Sequence, residues 1–155
     1  MASAPAFIRA SGPITSRLLR VGLPMGPNLV LTVRGRTTGQ PRSAPVAVVE
    51  HDGRRWVVGT FGEVHWVRNL RAAREASIHV GGRELAVTAR ELPRDEAVDF
   101  FKRVLPAYAA ALPFRWRLFV RLFLRVVAGE ILLDPARAAA HHPVFELSHR
   151  LPAVD

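Results

Sequence analysis

The spacing of apolar positions changes several times along this chain, and each change marks an element. Leu29, Leu31 and Val33 alternate with Val30, Thr32 and Arg34. A period of two rich in β-branched residues predicts a strand. Gly35 and Gly39, with Thr37, Thr38 and Pro41 around them, predict a turn. Ser43 to Glu50 carries the apolar run APVAVV and predicts a second strand. The Asp-Gly pair in His51-Asp52-Gly53-Arg54 marks a tight hairpin, and Arg55 to Thr60 reads as the third strand of an antiparallel meander.

The period then lengthens. The chain leaves the third strand through Phe61 and Gly62 and becomes a short helix that ends near Ala73, with Trp66, Leu70 and Ala73 on one face. Ser77 to Val80 and Arg83 to Glu91, joined by Gly81-Gly82, predict a second hairpin. Pro93 opens a helix with Asp95 and Glu96 in its first turn. It runs through Val98 and Phe101 to Leu105, where Pro106 is expected to interrupt it. Pro113 to Val127 predicts a helix of unusual character. Arg117, Arg121 and Arg125 form one stripe; Phe114, Trp116, Leu118, Phe119 and Leu122 help cover the rest. That apolar arc is wider than a surface helix needs. It suits a cover for the sheet and a partner subunit, a lid over an apolar ligand, or a membrane-interface helix. Gly129 is expected to end it, before a brief helix at Ala136 to Ala140 and a last strand at Pro143 to Ser148.

These elements define an α+β chain. Residues 1–28 read as a basic arm with a short helix near Pro13, residues 29–150 as one domain and 151–155 as a tail. A chain of 155 residues is long enough for one real core. The absence of cysteine excludes a disulfide framework, a thiolate metal site and a cysteine nucleophile. His141 and His142 are adjacent and expected to point apart, so no metal is assigned. No apolar run reaches the length of a membrane span, and no signal peptide is recognisable. The expected location is cytoplasmic, with peripheral association to the inner membrane face through basic amphipathic helices as a further candidate.

Charge changes the picture more. The net charge is +9, Lys102 is the only lysine, and the first acidic residue is Glu50. Arg34, Arg36 and Arg42 crowd the first turn with Thr37 and Thr38. A glycine-rich turn lets backbone N–H groups approach an anion, and arginine adds bidentate donors for phosphate. A solvated basic hairpin loop is the plainer alternative. No GxSxG, HExxH, P-loop or GxGxxG motif occurs, so a bound cofactor is expected to carry the chemistry. The aromatic-plus-basic strand pattern of RNA or single-strand binders is missing, and nucleic acid is not an expected partner.

The order of LTVRGRTTGQPRSAPV, HDGRRWVVGTFG, WVRNLRAA, GGRELAVTAREL and HPVFEL resembles the deazaflavin-dependent nitroreductases, split β-barrel proteins that bind coenzyme F420. The resemblance implies a split β-barrel of about six mostly antiparallel strands with flanking helices. By position, it implies that Arg36, Thr37 and Thr38, with Arg42 beside them, hold the cofactor phosphate. Ser43, Ala44, Pro45, Val46 and Ala47 match the strand along the deazaflavin ring. Val58, Gly59, Thr60 and Phe61 match the third-strand exit, and His65, Trp66, Val67, Arg68 and Asn69 the helix start. Phe61 stands where reductase members often carry lysine, and the loop before Trp66 is shorter than usual. The implied activity is hydride transfer from F420H2 to a small apolar or aromatic acceptor: a quinone, nitroaromatic or enone. Tyr108, His65 or solvent would supply the proton. FMN is the alternative cofactor, and a non-catalytic module for anionic lipid or another polyanion the alternative function. Monomer and homodimer both remain open.

Overall fold

The computed structural model describes residues 28–80, 83–127 and 129–149. The N-terminal arm, the Gly81-Gly82 turn and the tail after residue 149 lie outside the described residues. Six strands close an antiparallel barrel in the order β1-β2-β3-β6-β5-β4. They are β1 (Asn28–Arg34), β2 (Pro41–His51), β3 (Arg54–Val58), β4 (Glu75–Val80), β5 (Arg83–Glu91) and β6 (Val144–His149). The predicted meander and second hairpin are both present. Asp52 and Gly53 take φ of 50° and 72°, the left-handed pair that a two-residue hairpin requires.

Strand alternation sorts the apolar residues into two clusters. Leu29, Leu31, Val33, Val46, Val48, Val57, Ile78, Val87, Phe145 and Leu147 fill the barrel. Val49, Trp56, Val58 and Val144 point outward and meet Leu92, Phe100, Phe101, Leu105, Ile131 and Ala138 from the helices. The helix α1 (His65–Ala73) belongs to the first cluster. Val67 and Leu70 are fully buried there, and Trp66 sits with its ring 6.3 Å from Phe145. Both Trp66 and Ala73 are partly buried against the barrel cluster, as their shared face with Leu70 predicted.

The helical half departs from expectation in four places. Pro106 does not interrupt its helix: α2 (Arg94–Asp99) passes through a π-helical turn at Phe100–Val104 into α3 (Leu105–Ala111). A wide turn just before proline removes the register in which its missing N–H would matter. Tyr108 therefore lies on a helix, not in a loop. Helix α4 (Phe114–Val127) makes its main contacts with α3 and with α5 (Glu130–Leu133), not across the sheet. Helix α4 is described to Val127, and Gly129, expected to end it, is the N-cap of α5, a helix that the spacing did not predict. The last correction concerns the histidines. His141 ends α6 (Pro135–His141) and His142 follows it, yet both rings meet Glu130 of α5 instead of pointing apart.

Candidate functional site

The β1–β2 turn is built by its own backbone. Gly35 N–H donates to Gln40 O at 2.8 Å, Gly39 N–H donates to Gly35 O at 2.9 Å, and Gly39 takes φ of 71°. A Cβ on Gly35 would lie 3.1 Å from Gln40 O and 3.2 Å from Thr38 Oγ1, so a side chain there would crowd the turn. Arg36, Thr37, Thr38 and Arg42 are exposed around it.

Helix α1 reaches this turn. Asn69, buried to 5 % exposure, accepts at Oδ1 from Arg36 N–H at 3.2 Å and from the Arg36 guanidinium at 2.7 Å. A neutral amide orients the arginine without cancelling its charge. Among the described residues, no carboxylate pairs with Arg34, Arg36 or Arg42, whereas Arg54, Arg55, Arg71, Arg90, Arg103 and Arg137 all have acidic partners. Uncompensated, aimed guanidinium beside exposed turn threonines, of which Thr38 Oγ1 accepts from Gln40 N–H and keeps its own proton to donate, is a donor set suited to a phosphodiester.

Along β2, register and burial give each residue a face. Val46 is buried in the barrel, so Ser43, Pro45 and Ala47 lie on the outer face and Ala44 on the inner. Thr32 and Ser43 face each other as cross-strand partners with their hydroxyls 2.8 Å apart. The side chains of Val46, Val58 and Val67 are inside apolar clusters, which leaves their backbone alone available to a ligand.

The β3 exit is a tight turn. Gly62 N–H donates to Gly59 O at 2.9 Å, Gly59 N–H donates to Pro143 O at 2.7 Å, and Gly62 takes φ of 75°. Thr60 is buried and Phe61 half-buried between them. Val67 packs on Gly59, where a Cβ would come within 3.1 Å of Val67 Cγ2. The following loop is tied down by Arg71, which donates to both oxygens of Glu63 at 2.8 and 2.7 Å and to Glu91 at 2.6 and 2.7 Å. The Arg71 hydrogen bonds hold the Glu63 carboxyl below its ordinary range against the opposing effect of burial. His65 is exposed and Arg68 half-buried at the start of α1.

The turn, the β3 exit and the α1 start thus converge through Arg36–Asn69 and Gly59–Val67 contacts. Tyr108 is not part of that convergence. It packs on the outer cluster, where burial first, and then the Glu50 charge, raise its phenol above the ordinary value. Sequence reasoning missed Glu63, Arg71, Glu91, Glu130 and His142 as supports. Their contacts span 8 to 83 residues, and only the position of Glu63 just before a helix was a local signal.

The family model of the F420H(2)-dependent quinone reductases matches residues 8–113. The chain belongs to that family, and it is an F420H2-dependent oxidoreductase. The chain is similar to three solved structures. One, a domain-swapped dimer, is 21% identical over 88% of this chain and 95% of its own, with a TM-score of 0.52. An F420-H2 dependent reductase (FDR-A) is 24% identical over 79% and 94%, at 0.49. A Clostridium acetobutylicum protein related to general stress protein 26, of the pyridoxinephosphate oxidase family, is 13% identical over 88% and 82%, at 0.49.

Proposed function

We propose that the chain binds F420H2 in the groove between the β1–β2 turn, the outer face of β2 and the start of α1, and reduces a quinone, nitroaromatic or enone held against it. When bound, the reduced deazaflavin supplies a hydride from C5. Arg36, Thr37, Thr38 and Arg42 hold the phosphate, with Asn69 fixing Arg36. Ser43, Pro45 and Ala47 offer a surface for the ring. The Gly59–Phe61 peptides border it, and His65, Trp66 and Arg68 complete the wall. The observation that carries this reading is Arg36, gripped twice by a buried amide and paired with no carboxylate among the described residues. Solvent or exposed His65 serves as proton source; Tyr108, whose phenol burial raises above its ordinary value, is the further candidate.

Fluorescence titration with F420 and separately with FMN tests it, alongside F420H2 oxidation across the three acceptor classes. Arg36→Ala with Arg42→Ala should abolish F420 binding and leave the circular dichroism of the barrel intact. Tight FMN binding with none for F420, or full binding by the double variant, overturns it.

A second reading concerns location. Phe114, Leu118 and Leu122 are 72, 49 and 54 % exposed in one row of α4, beside the Arg117–Arg121–Arg125 row. Residues 114–127 contain no carboxylate, and they lie beyond the family match. No helix among the described residues is long and apolar enough to cross a membrane. Apolar side chains between arginines suit an anionic bilayer surface, where an apolar acceptor is concentrated. Sedimentation with anionic but not neutral vesicles supports peripheral docking; equal sedimentation with neither refutes it.

A further inference from the structure

His142 is 6 % exposed, and both of its ring nitrogens face oxygen acceptors. Nε2 lies 2.8 Å from Glu130 Oε1, and Nδ1 lies 3.2 Å from the Gly59 carbonyl oxygen. Neither oxygen can donate when Glu130 is ionised. A neutral imidazole has one N–H and satisfies one of the two; an imidazolium satisfies both. The charged groups around the ring favour an ionised Glu130. Its carboxylate also meets His141 Nδ1 at 3.2 Å and Arg137 Nε at 3.4 Å. Burial acts to raise the Glu130 carboxyl, and the hydrogen bonds from His141 and His142 more than offset it, so it stays low.

The carbonyl that His142 reaches is the pivot of the β3 exit. Gly59 O also accepts from Gly62 N–H, and Gly59 N–H is bonded to Pro143 O. The segment 141–143 thus runs beside the turn 59–62 and holds it at two points, His142 on the Gly59 carbonyl and Pro143 O on the Gly59 N–H. A Cβ on Gly59 would come within 3.1 Å of Val67 Cγ2 and 3.2 Å of Pro143 Cδ, so there is little spare space beside the turn.

We infer that His142, held as an imidazolium by Glu130, is a positioning residue: it fixes the Gly59 carbonyl so that the Thr60 and Phe61 peptides border the deazaflavin. This rests on the cofactor groove proposed above. The consequence is a charge-dependent strut. A ring with a single N–H would keep only one of the two bonds, Glu130 or Gly59, and the exit turn would loosen.

Two variants test it. Glu130→Gln keeps the shape and removes the counter-charge; His142→Gln keeps one polar contact and removes the cation. Three readouts are taken on wild type and both variants. Nitrogen-15 NMR of the histidine rings should show both His142 nitrogens protonated in the cofactor-free wild type. Amide exchange at Gly62, whose N–H shares the Gly59 carbonyl, should quicken in both variants while the overall melting transition persists. F420 affinity should weaken about tenfold in each variant near neutral pH, the scale of one lost charge-assisted hydrogen bond.

A singly protonated His142 in the wild type, or Gly62 exchange unchanged by both variants, overturns the strut. Faster exchange with unchanged F420 affinity overturns the positioning role alone. Failure of the wild type to bind F420 at all defeats the groove and the role together, a result distinct from binding that the variants leave intact.

Discussion

Asn69 Oδ1 accepts two hydrogen bonds from one residue, the peptide N–H and the guanidinium of Arg36, 33 positions earlier. The pair joins the barrel's basic turn to the helix that plugs its mouth. It also separates two roles that a carboxylate would merge, since an amide orients the arginine and leaves its charge for a ligand. Asn69→Asp therefore keeps the grip and cancels the charge. Thermal stability should hold or rise slightly, while F420 affinity falls by more than about tenfold through repulsion of the phosphate. Asn69→Leu, which strands the Arg36 peptide N–H, should instead cost about 1–3 kcal/mol of stability. Calorimetry and cofactor titration on the two variants check both; equal losses of stability would refute the separation.

Gly59 and Gly53 invite a contrast. A Cβ on Gly59 would lie 3.1 Å from Val67 Cγ2, 3.2 Å from Pro143 Cδ and 3.3 Å from Gly62 O. Two of those neighbours are a buried core side chain and a turn carbonyl, so neither yields easily. Gly59→Ala should cost about 1–3 kcal/mol by overpacking. A Cβ on Gly53 meets nothing within 4 Å, but its φ is +72°. Gly53→Ala should cost about 1 kcal/mol, from backbone conformation alone. Urea melts distinguish them, and only Gly59→Ala should also reduce cofactor affinity.

The strands and their faces were readable because their signal is local. Leu29 to Val33 alternates in sequence and in the barrel alike, and Asp52-Gly53 names its own turn. The basic turn was readable for the same reason, since Gly35 and Gly39 act through backbone within a few residues. Barrel closure by β1–β4 and β5–β6 pairing leaves no trace in any one segment, and only the resemblance supplied it. Pro106 misled because the π turn at Phe100–Val104 absorbs its effect, a tertiary adjustment made by packing Phe100 and Phe101 into the outer cluster. His141 and His142 misled because their direction depends on where α5 brings Glu130.

Glu146 of β6 bridges its two neighbour strands on the barrel's outside. It accepts from Arg54 of β3 at 2.8 Å and from Arg90 of β5 at 2.9 Å, and its side chain is 16 % exposed. The Arg54 hydrogen bond first, against burial and with help from Arg90, holds its carboxyl below the ordinary range. A carboxyl lowered by folding stabilises fully above its unfolded value and loses that contribution as pH falls through its folded value. The melting temperature should therefore decline in acid, below the ordinary carboxylate range. Glu146→Gln should lower stability at neutral pH by about 1 kcal/mol, as expected for a small network with solvent-screened arginines. It should also flatten the acid limb. An unchanged acid slope in calorimetric scans from neutral to low pH would refute the assignment.

The exposed row on α4 gives the last prediction. Leu118 and Leu122 are about half exposed, and α4 rests mainly on its neighbouring helices. Replacing both by serine removes little buried area, so stability should change by less than about 0.5 kcal/mol. If the row served only the internal packing of the helix, the double variant would melt early and sediment with vesicles as before. If it docks on an anionic bilayer, melting stays put and sedimentation is lost. Arg117→Gln with Arg121→Gln should weaken docking in the same direction, and its residual binding should lose most of its dependence on anionic lipid. Added salt should then weaken wild-type docking and leave that of the arginine variant nearly unchanged, because screening acts on the charge and not on the apolar row.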